Sequence, residues 1–173
     1  IYNQQNKQVQ YEEIPLNYSR LNCMLSLGKD TIGIGTNNGI ILFFAKSKQF
    51  RNVEMHFNVM RLFEDSHNEL WLFSKEQRGI VRYDPLANEQ QHYETPTQNM
   101  PKAELRSRDV IFEDSQGTLW VVPHLGCLSY YDREDKELKP YYTDYSKPES
   151  KFTPVILNFY VDNQKNFWYA NNF

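Results

Sequence analysis

Residues 112–120 read Phe112-Glu113-Asp114-Ser115-Gln116-Gly117-Thr118-Leu119-Trp120, with Ile111 before and Val121 after. An apolar lead-in meets a polar turn and returns as a second apolar run. The same order stands upstream, where Leu62-Phe63-Glu64-Asp65-Ser66 leads to Leu70-Trp71-Leu72. It stands again downstream, where Phe159-Tyr160-Val161-Asp162-Asn163 leads to Phe167-Trp168-Tyr169. All three tryptophans fall in this pattern, each six residues after an Asp, at intervals of 49 and 48. A fainter copy, Leu25-Ser26-Leu27 to Ile32-Gly33-Ile34, keeps the spacing with Gly33 in the Trp place. A self-similar unit of about 40–50 residues is the mark of a propeller or a solenoid.

The unit reads as four short strands. Strand a covers Val59 to Glu64, and strand b covers Leu70 to Ser74. Strand c runs through Ile80-Val81-Arg82-Tyr83, and strand d lies near Gln90 to Tyr93. Asp65, Asp114 and Asp162 open the a–b turns, where a carboxylate can accept from the backbone two residues on. Asn68, Gly117 and Asp30 hold the matching turn position, where a left-handed residue is expected, and Lys165 departs from that residue type. Leu62 with Phe63, and Ile111 with Phe112, put apolar groups on both faces of strand a, as in a sheet sandwiched between neighbours. Helical periodicity is poor throughout. The expectation is an all-β chain of β-propeller blades, each of four antiparallel strands.

Dividing the chain on this register gives a half blade at 1–16 and whole blades at 17–53, 54–97 and 98–146. A second half blade follows at 152–173. That makes sixteen strands and about four blade-equivalents, matching a minimal ring or about half of a larger one, since propellers carry ~4–8 blades. The first residue is Ile1, with neither an initiator Met nor an apolar leader, so the chain reads as a piece of something longer.

The run Phe-Glu-Asp-Ser-x-Gly-x-Leu-Trp, continuing through a Gly to Tyr-Asp-Pro, resembles the two-component regulator propeller repeat. Residues 112–120 match it fully. Phe63 to Trp71 match with Asn68 in the glycine place, and Tyr83-Asp84-Pro85 supply the end of the unit. Gly35-Thr36-Asn37-Asn38-Gly39 resembles the Gly-Thr-x-x-Gly segment that follows the Trp in such repeats. The resemblance implies the extracytoplasmic, periplasmic sensor region of a hybrid two-component histidine kinase of gut bacteria. There a seven-bladed propeller precedes a β-sandwich, a membrane helix, a kinase and a response regulator. It further implies oligosaccharide ligands. The residues themselves show no catalytic constellation, so no cofactor and no enzymatic activity are expected in this segment.

Composition excludes other classes. The net charge of -3 offers no single-sign field for nucleic acid. The mean hydropathy of -0.72, with no apolar run near ~20 residues, excludes a membrane helix within these limits. Cys23 and Cys127 fall on separate blades and are expected to be free, buried thiols. The four histidines show no metal-ligand spacing, and no glycine-rich phosphate loop occurs. Glu64-Asp65 and Glu113-Asp114 are adjacent residues at equivalent turns, so they read as turn-capping groups rather than a hydrolase's opposed carboxyls. The tryptophans read as inter-blade packing, largely buried.

Ligand contacts are expected on the face bearing the b–c and d–a connections, which vary between blades. The b–c connections hold Asn37 and Asn38, then Lys75 and Arg78, then His124, and Arg106 closes a d–a connection. The d–a connections are read as Arg51 to His56, Glu94 to Arg106 and Thr143 to Lys151. These polar groups suit a hydroxyl-rich or acidic sugar. Two alternatives stand beside this: a propeller enzyme of the streptogramin-lyase kind, and a protein-interaction propeller. The expected partners are an oligosaccharide or other small ligand, the remaining blades and β-sandwich of a parent chain, and a possible homodimer.

Overall fold

A computed structural model describes residues 2–3, 5, 7–9, 11, 13–14, 20–28, 30–74, 76, 79–94, 110–122, 128–141 and 156–171. Every regular element in it is a strand. The first sheet contains β3 (Leu21–Leu27), β4 (Thr31–Thr36), β5 (Gly39–Phe44) and β6 (Gln49–Glu54). The second contains β7 (Val59–Glu64), β8 (Leu70–Ser74), β9 (Ile80–Asp84) and β10 (Glu89–Tyr93). The third contains β11 (Val110–Glu113), β12 (Leu119–Val122), β13 (Ser129–Asp132) and β14 (Glu137–Pro140). Each is an antiparallel meander in chain order, so its strands are labelled a to d. Two-stranded sheets add β1 (Tyr2–Asn3) with β2 (Gln8–Val9), and β15 (Ile156–Val161) with β16 (Phe167–Asn171).

The register repeats as expected. Phe63 pairs with Trp71, Phe112 with Trp120, Tyr160 with Trp168, and Leu25 with Gly33. The Asp-to-Trp spacing has a direct cause. Asp65 Oδ1 accepts from the backbone N–H groups of His67 and Glu69, both at 2.9 Å, and its Oδ2 accepts from Trp71 Nε1 at 2.9 Å. Asp114 binds Gln116, Thr118 and Trp120 in the same way, as Asp162 binds Gln164, Asn166 and Trp168. One carboxylate thus closes the turn and fixes the indole of the returning strand. The turn also forces a left-handed residue, with φ 60° at Asn68, 80° at Gly117 and 64° at Lys165. Lys165 therefore adopts the conformation despite its side chain. The expectation for Asp30 is corrected: among the described residues of that turn the left-handed one is Gly28, with φ 62°.

The sheets stack face to face through three apolar layers. The first and second sheets bury Ile40 and Leu42 against Val59, Leu62 and Leu72. The second and third bury Trp71 and Phe73 with Ile111, Val121 and Tyr131. The third meets β15–β16 through Trp120, Val122, Val161 and Phe167. Every residue of β8 and β12 is buried, because strand b is covered on both faces. Gly33 has no room to be Trp: a Cβ there would lie 3.0 Å from Leu27 Cδ1 and 3.2 Å from Leu62 Cδ1.

Three expectations need correction or limits. Trp71 and Trp120 are buried, but Trp168 is 62% exposed, because no described sheet covers its side of β15–β16. Residues 51–54 are strand rather than connection, so the first d–a connection shrinks to residues 55–58. Cys23 is a half-buried free thiol on β3, whereas Cys127 lies outside the described residues.

Candidate functional site

In a meander the b–c and d–a connections share one end of the stack, and the a–b and c–d turns share the other. At the b–c end of the first sheet, Asn37 and Asn38 form a two-residue hairpin closed by the Thr36–Gly39 pair. Buried Thr36 Oγ1 holds this hairpin, accepting from Asn38 N–H at 3.1 Å and donating to the Gly39 carbonyl at 3.0 Å. Gly39 is required here. Its φ is 112°, and a Cβ would collide with the Val53 carbonyl. The Asn38 carbonyl accepts from Met55 N–H at 3.4 Å, which ties the hairpin to the d–a connection.

Asn37 Oδ1 is buried and accepts no hydrogen bond, and the same holds for Asn22 Oδ1 on neighbouring β3. Asn22 Nδ2 donates to the Val59 carbonyl at 3.0 Å, so its acceptor is oriented by that bond. An unmatched buried acceptor costs about 1–3 kcal/mol, which makes both oxygens fit receivers for hydroxyl or amine donors. In the second sheet Glu76 fixes the b–c connection, accepting from Asn58 N–H at 3.2 Å and Ser74 Oγ at 2.8 Å. Burial opposes its ionisation, but the Asn58 and Ser74 donors hold its carboxyl below the usual range. Lys75, Arg78, Arg106 and His124 lie outside the described residues. Of the expected contacts, Asn37 and Asn38 are therefore the two placed together.

The opposite end carries charges that were missed as a group. Arg133, on the β13–β14 turn, donates from Nη2 to Asp65 Oδ2 at 2.9 Å and from Nη1 to Glu69 Oε2 at 2.7 Å. Arg82 Nη1 reaches the other Glu69 oxygen at 2.6 Å. Glu113 accepts from Ser66 N–H and Ser66 Oγ, both at 2.7 Å, across the second and third sheets. Glu64 repeats this one sheet earlier, accepting from Gly28 N–H at 3.2 Å. The Glu-Asp pairs are thus structural, as their turn position implied. Burial opposes ionisation of Asp65, but Arg133 and the Trp71 N–H outweigh it and hold the carboxyl below its ordinary range. One signal marked Arg133 in advance: it stands where Tyr83-Asp84-Pro85 has proline.

Two grooves open at this end, of about 420 Å³ beside His67, Glu69 and Arg82, and about 240 Å³ beside Phe44 and Arg51. They share Asn68, Pro85 and Leu86. Among the described residues no group of His, Cys, Asp and Glu is arranged to hold a metal.

The sequence matches no family model and no curated protein. Solved structures do match. The extracellular domain of BT4673 from B. thetaiotaomicron, named as a candidate hybrid two component system, aligns with a TM-score of 0.65 at 17% identity. A second structure of the same domain, described as a candidate one component system, aligns with a TM-score of 0.66 at 17% identity. The alignment covers 98% of this chain and 23% of that one, so the chain spans about a quarter of its neighbour's length. An auxiliary nutrient binding protein from Bacteroides thetaiotaomicron VPI-5482 aligns with a TM-score of 0.52 at 16% identity, over 72% of this chain and 31% of that one. The shared property is the fold: stacked, antiparallel four-stranded sheets.

Proposed function

We propose that this chain is a stretch of an extracytoplasmic β-propeller that senses a small ligand for a hybrid two-component system, with its stacked sheets serving as blades of a larger ring. The carrying observation is the fold match to the BT4673 extracellular domain across 98% of the chain. The nutrient-binding neighbour supports a small-ligand role, and an oligosaccharide is the ligand class proposed here. The segment binds rather than catalyses. Kinase and phosphorelay chemistry belong to remote parts of an inner-membrane parent chain whose sensor region is periplasmic. Recognition is assigned to the b–c end, with Asn37 and Asn38; Lys75, Arg78, Arg106 and His124, which lie outside the described residues, are the further contacts expected from the sequence.

The test is titration calorimetry of the intact sensor region with a panel of oligosaccharides. Replacing Lys75, Arg78 and His124 together is expected to weaken binding at least tenfold. Replacing His67 and Gln116 at the opposite end is expected to leave it unchanged. Equal loss from both sets rejects the assigned end, and loss from His67 alone moves the site to the groove beside Glu69 and Arg82.

A further inference from the structure

Among the described residues, seven that are not glycine have a left-handed backbone, and six of them punctuate the repeat. Lys7, Lys48, Asn88 and Lys136 each stand immediately before the last strand of a sheet, β2, β6, β10 and β14. Asn68 and Lys165 hold the same place in two a–b turns. The seventh is His56, with φ 56°, and it belongs to neither kind of turn. An L-residue is held in this region at a cost in strain that glycine escapes, so the surroundings must impose it.

Those surroundings are on both sides. His56 lies in the connection 55–58, between two complete four-stranded sheets. From the first sheet, the Asn38 carbonyl accepts from Met55 N–H at 3.4 Å. Gly39 permits that approach, since a Cβ there would lie 2.9 Å from Met55 N. From the second sheet, Glu76 Oε2 accepts from Asn58 N–H at 3.2 Å, and its other oxygen accepts from Asn58 Nδ2. Asn22 Nδ2 then holds the Val59 carbonyl at 3.0 Å. Met55 and Phe57 are buried in the apolar layer between the two sheets, whereas His56 between them is exposed. Among the described residues its imidazole makes no hydrogen bond or ion pair. The ring therefore has no part in the core, although the backbone beneath it is fixed.

We propose that His56 is a ligand contact of the b–c end, its imidazole presented beside Asn37 and Asn38 by a strained connection anchored to both flanking sheets. Strained residues of this kind cluster at ligand clamps, where the fold around them over-determines their geometry. The chemistry is complementary to that of its neighbours. The buried Asn22 Oδ1 and Asn37 Oδ1 can only accept, and both lack a donor. An imidazole adds an N–H donor and, when neutral, a further acceptor. Neighbouring hydroxyls of a sugar match this set, because each hydroxyl donates one bond and accepts others. The inference rests on the small-ligand reading above and deepens it with a residue that no repeat motif marks.

Calorimetry on the intact sensor region tests it, with maltohexaose, xylohexaose, mannohexaose and hexagalacturonate as probes. His56→Gly and His56→Asn both tolerate the left-handed backbone and remove the ring. Each is expected to weaken binding of the recognised probe about fivefold or more, the scale of one hydrogen bond. The urea midpoint of each is expected to stay at or above that of the parent. A lower midpoint in both variants would make the ring a structural prop and overturn the proposal, as would affinities unchanged from the parent. The combined replacement of Lys75, Arg78 and His124 runs beside them. Loss there without loss in the His56 variants keeps recognition at the b–c end and excludes His56. No loss in either set, or a sensor region that binds none of the probes, overturns the proposal together with the reading beneath it.

Discussion

Arg133 Nη2 lies 2.9 Å from Asp65 Oδ2, the same oxygen that receives the Trp71 indole N–H, although 68 residues separate the two in sequence. The Asp65 side chain is fully buried, whereas that of Arg133 keeps 29% exposure. The contact joins the third sheet to the turn that organises the second. Replacing Arg133 with Met should leave Asp65 and Glu69 without their shared cation and cost about 3 kcal/mol, the scale for removing one partner of a buried pair. Lys at this position should recover little, because one ammonium cannot replace two guanidinium nitrogens aimed at two carboxylates. Urea denaturation of the three proteins measures both effects.

The tryptophans should separate by environment despite identical turn chemistry. Trp71→Ala opens a cavity beneath Tyr93 and Tyr131 and is expected to cost about 3–5 kcal/mol. Trp168→Ala, at a mostly exposed ring, should cost under about 1 kcal/mol. Comparable losses in denaturant midpoint would contradict the stacked order of the sheets.

Acid should loosen all three Asp-led turns. Asp162 is held at about 2 by the Trp168 indole N–H and by Asn166, and Asp65 and Asp114 are also depressed. The unfolded carboxyl titrates near ~3.9, above each folded value. The stabilisation is therefore complete above pH of about 4 and disappears as pH falls through the folded values. Unfolding free energy should decline from pH of about 4 towards 2, and the Trp168 Nε1–H resonance should titrate with a midpoint near 2.

Glu113 bridges sheets through Ser66, so Glu113→Ala should cost about 1.5–3 kcal/mol, the range for hydrogen bonds to a charged group. The equivalent place in β15 is Val161, which is buried in the layer against the third sheet. Installing Glu at Val161 should therefore destabilise the chain, because a charge would enter an apolar layer. Thermal melts of both variants check the pair.

Gly79 immediately precedes β9 with φ 92°, and a Cβ there would collide with the Tyr93 carbonyl. Gly79→Ala should cost roughly 2 kcal/mol, since backbone strain and a clash with main chain add. Gly28→Ala, with nothing within 4 Å, should suffer only the conformational part, about 1 kcal/mol. Chemical denaturation of the two variants separates the terms.

By itself the amino-acid sequence determined the repeat, its register and the four strands of each unit. Those follow from local causes: an Asp that must cap its own turn, an apolar strand after it, and a glycine where strand c begins. The observed bounds of β7 and β8 coincide with the reading of residues 59–64 and 70–74 for that reason. Only tertiary structure decided which faces meet. Arg133 looks like a departure from Tyr-Asp-Pro until stacking brings it over Asp65 and Glu69. Trp168 shares its turn with Trp71 and Trp120, yet differs in exposure because burial depends on the sheet beyond it. The unmatched acceptors of Asn22 and Asn37 are equally invisible in sequence. An amide is satisfied or orphaned by neighbours that the twist and stacking of sheets supply, and no local rule names those neighbours.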